Sequence, residues 1–301
     1  PDLSPWSPCG EAPQAGRYGG TGGGRPPVVL ALHASASSAR QWRALGDRLE
    51  PHFRLLAIDL HEHGTMPPRG DGARPCPPLT LEDEATLAAP LLAAAGPVAD
   101  GGGVHLVGHS YGAAVALKVA ALHPRHVRSL VLYEPVTFRL LLDDPASHAE
   151  AAEALAVAEA VQTRLERDDL AGAGERFVDY WSGGGTWQSM PAAARAQVAR
   201  QMPSVLQHFG ALLNERRQAE LVQRLAVPVL LLSGEHTVAT ARRVMQRLRA
   251  LLPRARHETL PGMGHMGPLT HAAQVNERIA AFLSPPGLRS RPRPRDVLSV
   301  H

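Results

Sequence analysis

A serine can carry an acyl group at neutral pH when a turn exposes its hydroxyl and a neighbouring base takes its proton. Gly108-His109-Ser110-Tyr111-Gly112 offers such a serine, between the apolar run Val104 to Val107 and a helical pattern from Tyr111 to Leu122 that stops before Pro124. That order places Ser110 on a sharp strand-to-helix turn, where small residues admit the strained backbone and the helix start favours nearby negative charge. Other reactive residue types carry less. His61-Glu62-His63 has metal-ligand chemistry, but no third ligand follows at a diagnostic spacing, so no metal is expected. Cys9 and Cys76 sit far apart in Pro/Gly-rich stretches, which excludes a disulfide framework or a cysteine-based zinc site within the chain and fits a reducing compartment.

The elements that must position Ser110 follow from periodicity. Short apolar runs recur at the length of buried parallel strands: Val28 to Leu32, Phe53 to Ile58, Val104 to Val107, Ser129 to Tyr133 and Val227 to Leu232, with a last strand-like stretch from Arg256 to Leu260. Helical patterns alternate with them at Arg40 to Leu49, Leu81 to Ala95, Tyr111 to Leu122, Ala239 to Leu252 and Thr270 to Leu283. Such alternation predicts a doubly wound α/β domain, its mostly parallel sheet covered on both faces. From Val136 to about Gln223 the alternation fails: helical signals appear at His148 to Arg167, Phe177 to Trp181, Pro191 to Met202 and Val205 to Glu220, with no good strand. This is too long for an ordinary crossover and is expected to form a helical cap over the strand ends. The domain reading is a core over 27–135 and 224–284, a cap over 136–223, and tails at 1–26 and 285–301.

Composition sets the outer limits. With 301 residues, 44% of them hydrophobic, the chain has ample material for a buried core. Its 31 positive and 28 negative side chains leave a net charge of +3, too little for a nucleic-acid footprint. Arg289, Arg291, Arg293 and Arg295 read as a solvated tail. The longest Ala/Leu run, Ala85 to Ala99, is broken by Pro90 and Pro97 and is too short to span a bilayer, and the N-terminal residues lack a signal-peptide pattern. A cytoplasmic protein without nucleic-acid or membrane partners is expected.

In these residues the chain resembles the α/β-hydrolase superfamily in its capped form, over residues 27 to 284. Five landmarks match in order: a segment after the first strand, the Asp-Leu-x-x-His-Gly turn at Asp59 to Gly64, the Ser110 turn, a Gly-Glu turn after the strand ending near Ser233, and Gly264-His265. The resemblance implies an oxyanion site in His33-Ala34-Ser35-Ala36-Ser37-Ser38-Ala39-Arg40-Gln41-Trp42, with the backbone N–H groups of Ser35 and Tyr111 as donors; Ala34 stands where the family usually has glycine. It implies His265, in LPGMGHMGPL, as the general base. The family's usual acid lies in a Gly-x-x-Asp turn, which here reads Gly234-Glu235-His236-Thr237. A threonine cannot stabilise an imidazolium by charge. Glu134, at the end of the preceding strand where one group of haloalkane dehalogenases places its acid, is the first replacement. Glu235, or no effective acid, are the alternatives.

A serine at this turn excludes routes through a carboxylate nucleophile and leaves acyl chemistry: a cofactor-free hydrolase forming an acyl-Ser110 intermediate on a small or medium carboxylic ester. Its pocket is expected to be apolar, built from Phe138, Leu140, Phe177, Trp181, Trp187, Met190 and Phe209 of the cap, some of which are cap core, and flanked by His33, His109 and Met266. His109 reads as packing beside the nucleophile. A lactonase, a perhydrolase, or a C-C hydrolase using Arg40 or Arg139 remains open on the same scaffold, as does a ligand-binding protein with a decayed triad.

Overall fold

A computed structural model describes residues 26–66, 69 and 77–284. Both cysteines, the expected N-terminal tail to residue 25 and the arginine-rich tail from 285 lie outside them. The elements run β1 (Val28–Leu32), α1 (Arg43–Leu49), β2 (Arg54–Ile58), α2 (Leu81–Thr86), α3 (Ala89–Ala95), β3 (Val104–His109), α4 (Tyr111–Leu122) and β4 (Val127–Tyr133). Then come α5 (Arg139–Leu142), α6 (His148–Leu165), α7 (Leu170–Ser182), α8 (Thr186–Ser189), α9 (Ala192–Asn214) and α10 (Gln218–Gln223). The chain returns to β5 (Val229–Gly234), α11 (Ala239–Leu251), β6 (Arg256–Leu260), α12 (Gly267–Thr270) and α13 (Ala272–Leu283).

The six strands are all parallel in the order β2-β1-β3-β4-β5-β6, with Leu30 opposite Leu56 on one side and Leu106 on the other. Alternate strand residues face opposite layers. Val29, Ala31, Val107, Val131 and Leu232 pack with Trp42, Leu45, Val275 and Ile279 of the α1 and α13 side. Leu30, Leu32, Leu106, Leu132 and Leu231 pack with α4 and α11, and this core continues without a break into α5, α6, α7 and α9. Because β1 leads to β2 on one side and its neighbour β3 leads to β4 on the other, the connections leave the C-terminal ends of β1 and β3 in opposite directions. That opens a crevice between the ends of β1 and β3, where α/β sheets bind their ligands.

Two helical readings are corrected. Leu81 to Ala95 is two helices, because Pro90 lacks an N–H and sits at the start of α3, where none is needed. Conversely, the break expected between Met202 and Val205 is absent: α9 runs on through Pro203. An interior proline costs about 3 kcal/mol, and burial of Met202, Val205, Phe209 and Leu212 along the same helix outweighs it. Between β4 and β5 the chain is helical, without a strand.

Candidate active site

Ser110 caps the start of α4 with φ 56° and ψ −118°, a conformation side-chain-bearing residues rarely adopt. The neighbourhood enforces it. Its N–H donates to the Tyr133 carbonyl at 3.0 Å, and its own carbonyl accepts from the Ala113 and Ala114 N–H groups at 3.1 and 3.2 Å. A Cβ at Gly108 would lie 2.5 Å from the Ala113 Cα, and one at Gly112 would lie 2.4 Å from the His33 carbonyl oxygen. The turn therefore needs glycine on both sides because backbone passes too close for any side chain.

His265, on the loop after β6, is buried and joins two partners. Its Nε2 lies 2.9 Å from Ser110 Oγ and its Nδ1 lies 2.7 Å from Glu134 Oε2. The ring is stacked by Trp181 at a centroid distance of 4.1 Å. Glu134, fully buried just past β4 with φ 43°, accepts from the Gly234 N–H at 2.7 Å through Oε1 and from the Thr237 hydroxyl at 2.6 Å through Oε2. Thr237, at the place of the family's usual acid, thus serves as a donor to the carboxylate on the adjacent strand end. Glu235 points elsewhere: half exposed, it accepts from the Gly262 N–H at 2.8 Å and does not touch His265.

Below these groups a relay of side chains joins the loops. Gln41 accepts from the Ala34 N–H at 3.2 Å and donates to His109 Nδ1 at 3.1 Å, while His109 Nε2 donates to the His265 carbonyl at 2.9 Å. His33 likewise spends both nitrogens on backbone, accepting from the Leu60 N–H at 3.0 Å and donating to the Ala34 carbonyl at 2.7 Å. Burial holds both rings neutral, lowering His33 to about 3 and His109 well below the usual histidine range. Neither lines the pocket; they brace its floor. Gln41, Thr237 and His208 have site roles that sequence reasoning missed; Gln41 and Thr237 lie in segments it had singled out, after β1 and at the β5 turn, whereas His208 carried no signal.

Ser35 and Tyr111 flank the crevice from the β1 loop and the first turn of α4. Among the described residues, neither backbone N–H meets an acceptor, which leaves both available to a ligand. Ala34 fits in place of glycine because the left-handed residue of this loop is Ala36, with φ 55° and its N–H donated to His63 Nε2 at 3.1 Å. His63 Nδ1 donates to the His61 carbonyl at 2.9 Å, so this ring has no nitrogen left for a metal. No three metal-ligating side chains converge among the described residues.

A narrow cavity, open to solvent, lies over Ser110. Phe138, Phe177, Trp181 and Phe209 form an aromatic wall, and Ser35, Ser110 and His208 are its polar points. Besides His33 and His109, four expected pocket residues fall outside it, Leu140 being buried in the hydrophobic core. Trp187 packs over Gly174, where an added Cβ would meet its ring at 2.7 Å, Met190 follows α8 half-buried, and Met266 packs half-buried against the core beside His265. Beyond the cavity rim, Glu84 of α2 is buried and accepts from the His61 N–H at 3.1 Å and the Tyr111 hydroxyl at 3.3 Å. Burial raises its carboxyl to about 8.

Known proteins resemble this chain in sequence and in fold. Pimeloyl-acyl-carrier-protein methyl ester esterase of Xanthomonas axonopodis pv. citri is 29% identical over 266 residues, covering 87% of this chain and 96% of that protein. Lipase LipV of Mycobacterium tuberculosis is 36% identical over 119 residues, 40% of each chain. Among solved structures, a hydrolase from Pseudomonas aeruginosa PA01 superimposes with a TM-score of 0.68 at 20% identity, covering 88% of this chain and 92% of that one. The enol-lactonase from Burkholderia xenovorans LB400 gives 0.64 at 16% identity, over 86% and 92%. The sequence model of the alpha/beta hydrolase family matches residues 28–278. Since that match begins with β1 and ends within α13, taking in every strand and the helices between β4 and β5, the chain belongs to the alpha/beta hydrolase family.

Proposed function

We propose that the protein is a serine esterase that cleaves a small carboxylic ester with an apolar acyl group through an acyl-Ser110 intermediate. The observation that carries this reading is the unbroken contact from Ser110 Oγ through both nitrogens of His265 to Glu134. Ser110 Oγ attacks the carbonyl carbon while its proton passes to His265 Nε2, and Glu134 stabilises the imidazolium that forms. The developing alkoxide takes the Ser35 and Tyr111 N–H groups. His265 returns the proton to the departing alcohol, and water then frees the acid by the same sequence run on the acyl-enzyme. An ester fits the esterase and lipase among the relatives, and the aromatic wall fits an apolar acyl chain.

A C-C hydrolase that binds a substrate carboxylate is disfavoured. Arg139 is half exposed and paired with Asp143 at 2.6 Å, Arg40 is exposed, and neither lines the cavity.

The test is the intact mass after incubation with a fluorophosphonate, together with hydrolysis of a short p-nitrophenyl ester. One adduct, lost along with hydrolysis in Ser110→Ala, is expected; a native chain that neither labels nor hydrolyses overturns the reading.

A further inference from the structure

Of the cavity's polar points, Ser110 is accounted for, but Ser35 and His208 have side chains that the reaction above does not use. His208 comes from α9 in the cap, is 1% exposed, and lies flat on the Tyr111 ring at a centroid distance of 3.6 Å. On its other face His63 stacks at 4.7 Å. Its Nδ1 lies 2.8 Å from Ser35 Oγ, whereas its Nε2 is buried without a hydrogen-bond partner, the nearest carboxylate oxygen being Glu84 Oε1 at 3.8 Å.

A neutral imidazole has one N–H and one lone pair, and a buried N–H without an acceptor is the costlier orphan. Burial and the neighbouring histidines hold this ring neutral. Glu84 carries its proton at neutral pH, so no negative charge draws the hydrogen to Nε2. The hydrogen therefore sits on Nδ1 and is donated to Ser35 Oγ. That leaves the Ser35 hydroxyl free to direct its own hydrogen into the cavity, on the same residue whose backbone N–H faces the developing alkoxide.

We infer that the Ser35 side-chain hydroxyl is a third donor to the oxyanion and that His208 is the cap-borne residue that positions it. This rests on the proposed acyl transfer at Ser110. It couples catalysis to the cap: only with α9 seated does the hydroxyl point at the reacting oxygen.

A double-mutant cycle on a short p-nitrophenyl ester tests it, each variant being checked for fluorophosphonate labelling and melting temperature. Ser35→Ala is expected to lower kcat on the order of 10- to 100-fold with KM little changed, since two backbone donors remain. His208→Leu is expected to lose about as much, and Ser35→Ala/His208→Leu no more than Ser35→Ala alone. His208→Asn, whose amide N–H can replace Nδ1–H, should recover most of the His208→Leu loss, which separates positioning from packing. Multiplying losses in the double variant, a loss confined to KM, or a Ser35→Ala enzyme as fast as the parent would each overturn the inference while leaving Ser110 labelling intact. A parent that neither labels nor hydrolyses would overturn the acyl-transfer reading, and the inference with it.

Discussion

At the level of single residues, the carboxylate comes from the end of β4 and a hydroxyl stands at the β5 turn. Glu134 meets His265 from the end of β4, and Thr237 of the β5 turn sits within 2.6 Å of the same oxygen. Glu134→Gln is expected to lower kcat by orders of magnitude on any ester that the parent turns over, whereas Glu235→Gln changes it little. Adding Thr237→Asp to Glu134→Gln should recover part of the loss, because a carboxylate then stands one hydrogen bond from its former position; no recovery would mean that only the β4 end can orient the ring. Glu84 gives a pH signature. Its carboxyl rises from 4.5 to about 8, so between those values the folded chain keeps a proton that the unfolded chain has released, and stability falls as pH rises through that window. Glu84→Gln should flatten that fall, read as melting temperatures at pH 5, 7 and 9; parallel curves for the two proteins would refute it. Ser110, His265 and Glu134 were nameable from sequence because Ser110 and Glu134 directly follow strands and His265 sits in a glycine-containing loop after the last one, with glycine or proline nearby to restrict the turn. The partners of Thr237 and His208 were not, since they are set by which strands and helices become neighbours.

Among the elements, the strands were legible almost residue by residue, because a strand buried on both faces reads as an unbroken apolar run. β3 and β4 each extend two residues beyond their expected runs, β3 at its end and β4 at its start. The helices were legible less evenly: α5 and α8 carried no signal, the run expected to Glu220 is interrupted between α9 and α10, and two prolines were misjudged. Pro90 divides a helix because its surroundings allow a new start, while Pro203 is overridden by the packing of α9. Since Pro203 is exposed and contributes little contact of its own, Pro203→Ala is expected to raise stability by about 1–3 kcal/mol. Chemical denaturation measures it, and an unchanged or lower midpoint would show that the proline is accommodated without cost.

For the whole molecule, the sheet order and the helical insertion divide the work. The switch between β1 and β3 fixes where Ser110 and the Ser35 loop meet, and α7 and α9 decide how much room lies above them. Phe177 is a half-buried wall residue that does not touch His265, so Phe177→Ala should shift preference toward longer acyl chains by about 10-fold in the ratio of kcat/KM values. A series of p-nitrophenyl esters reads this, and an unchanged ratio would place the acyl chain elsewhere. The residues that line the cavity were only partly legible: Trp187 and Met190 are as apolar as Phe138 and Trp181, and only the three-dimensional course of the helices between β4 and β5 separates wall residues from those packed elsewhere.

The two layers are also pinned by one ammonium group. Lys118 on α4, the single lysine of the chain, is 8% exposed and reaches Glu215, just past α9, at 3.1 Å. An amine-selective reagent therefore meets no free ε-amine while α9 is seated. The rate at which this one nitrogen is acetylated measures how often the helix lifts, giving a clock for opening of the site that requires no substrate.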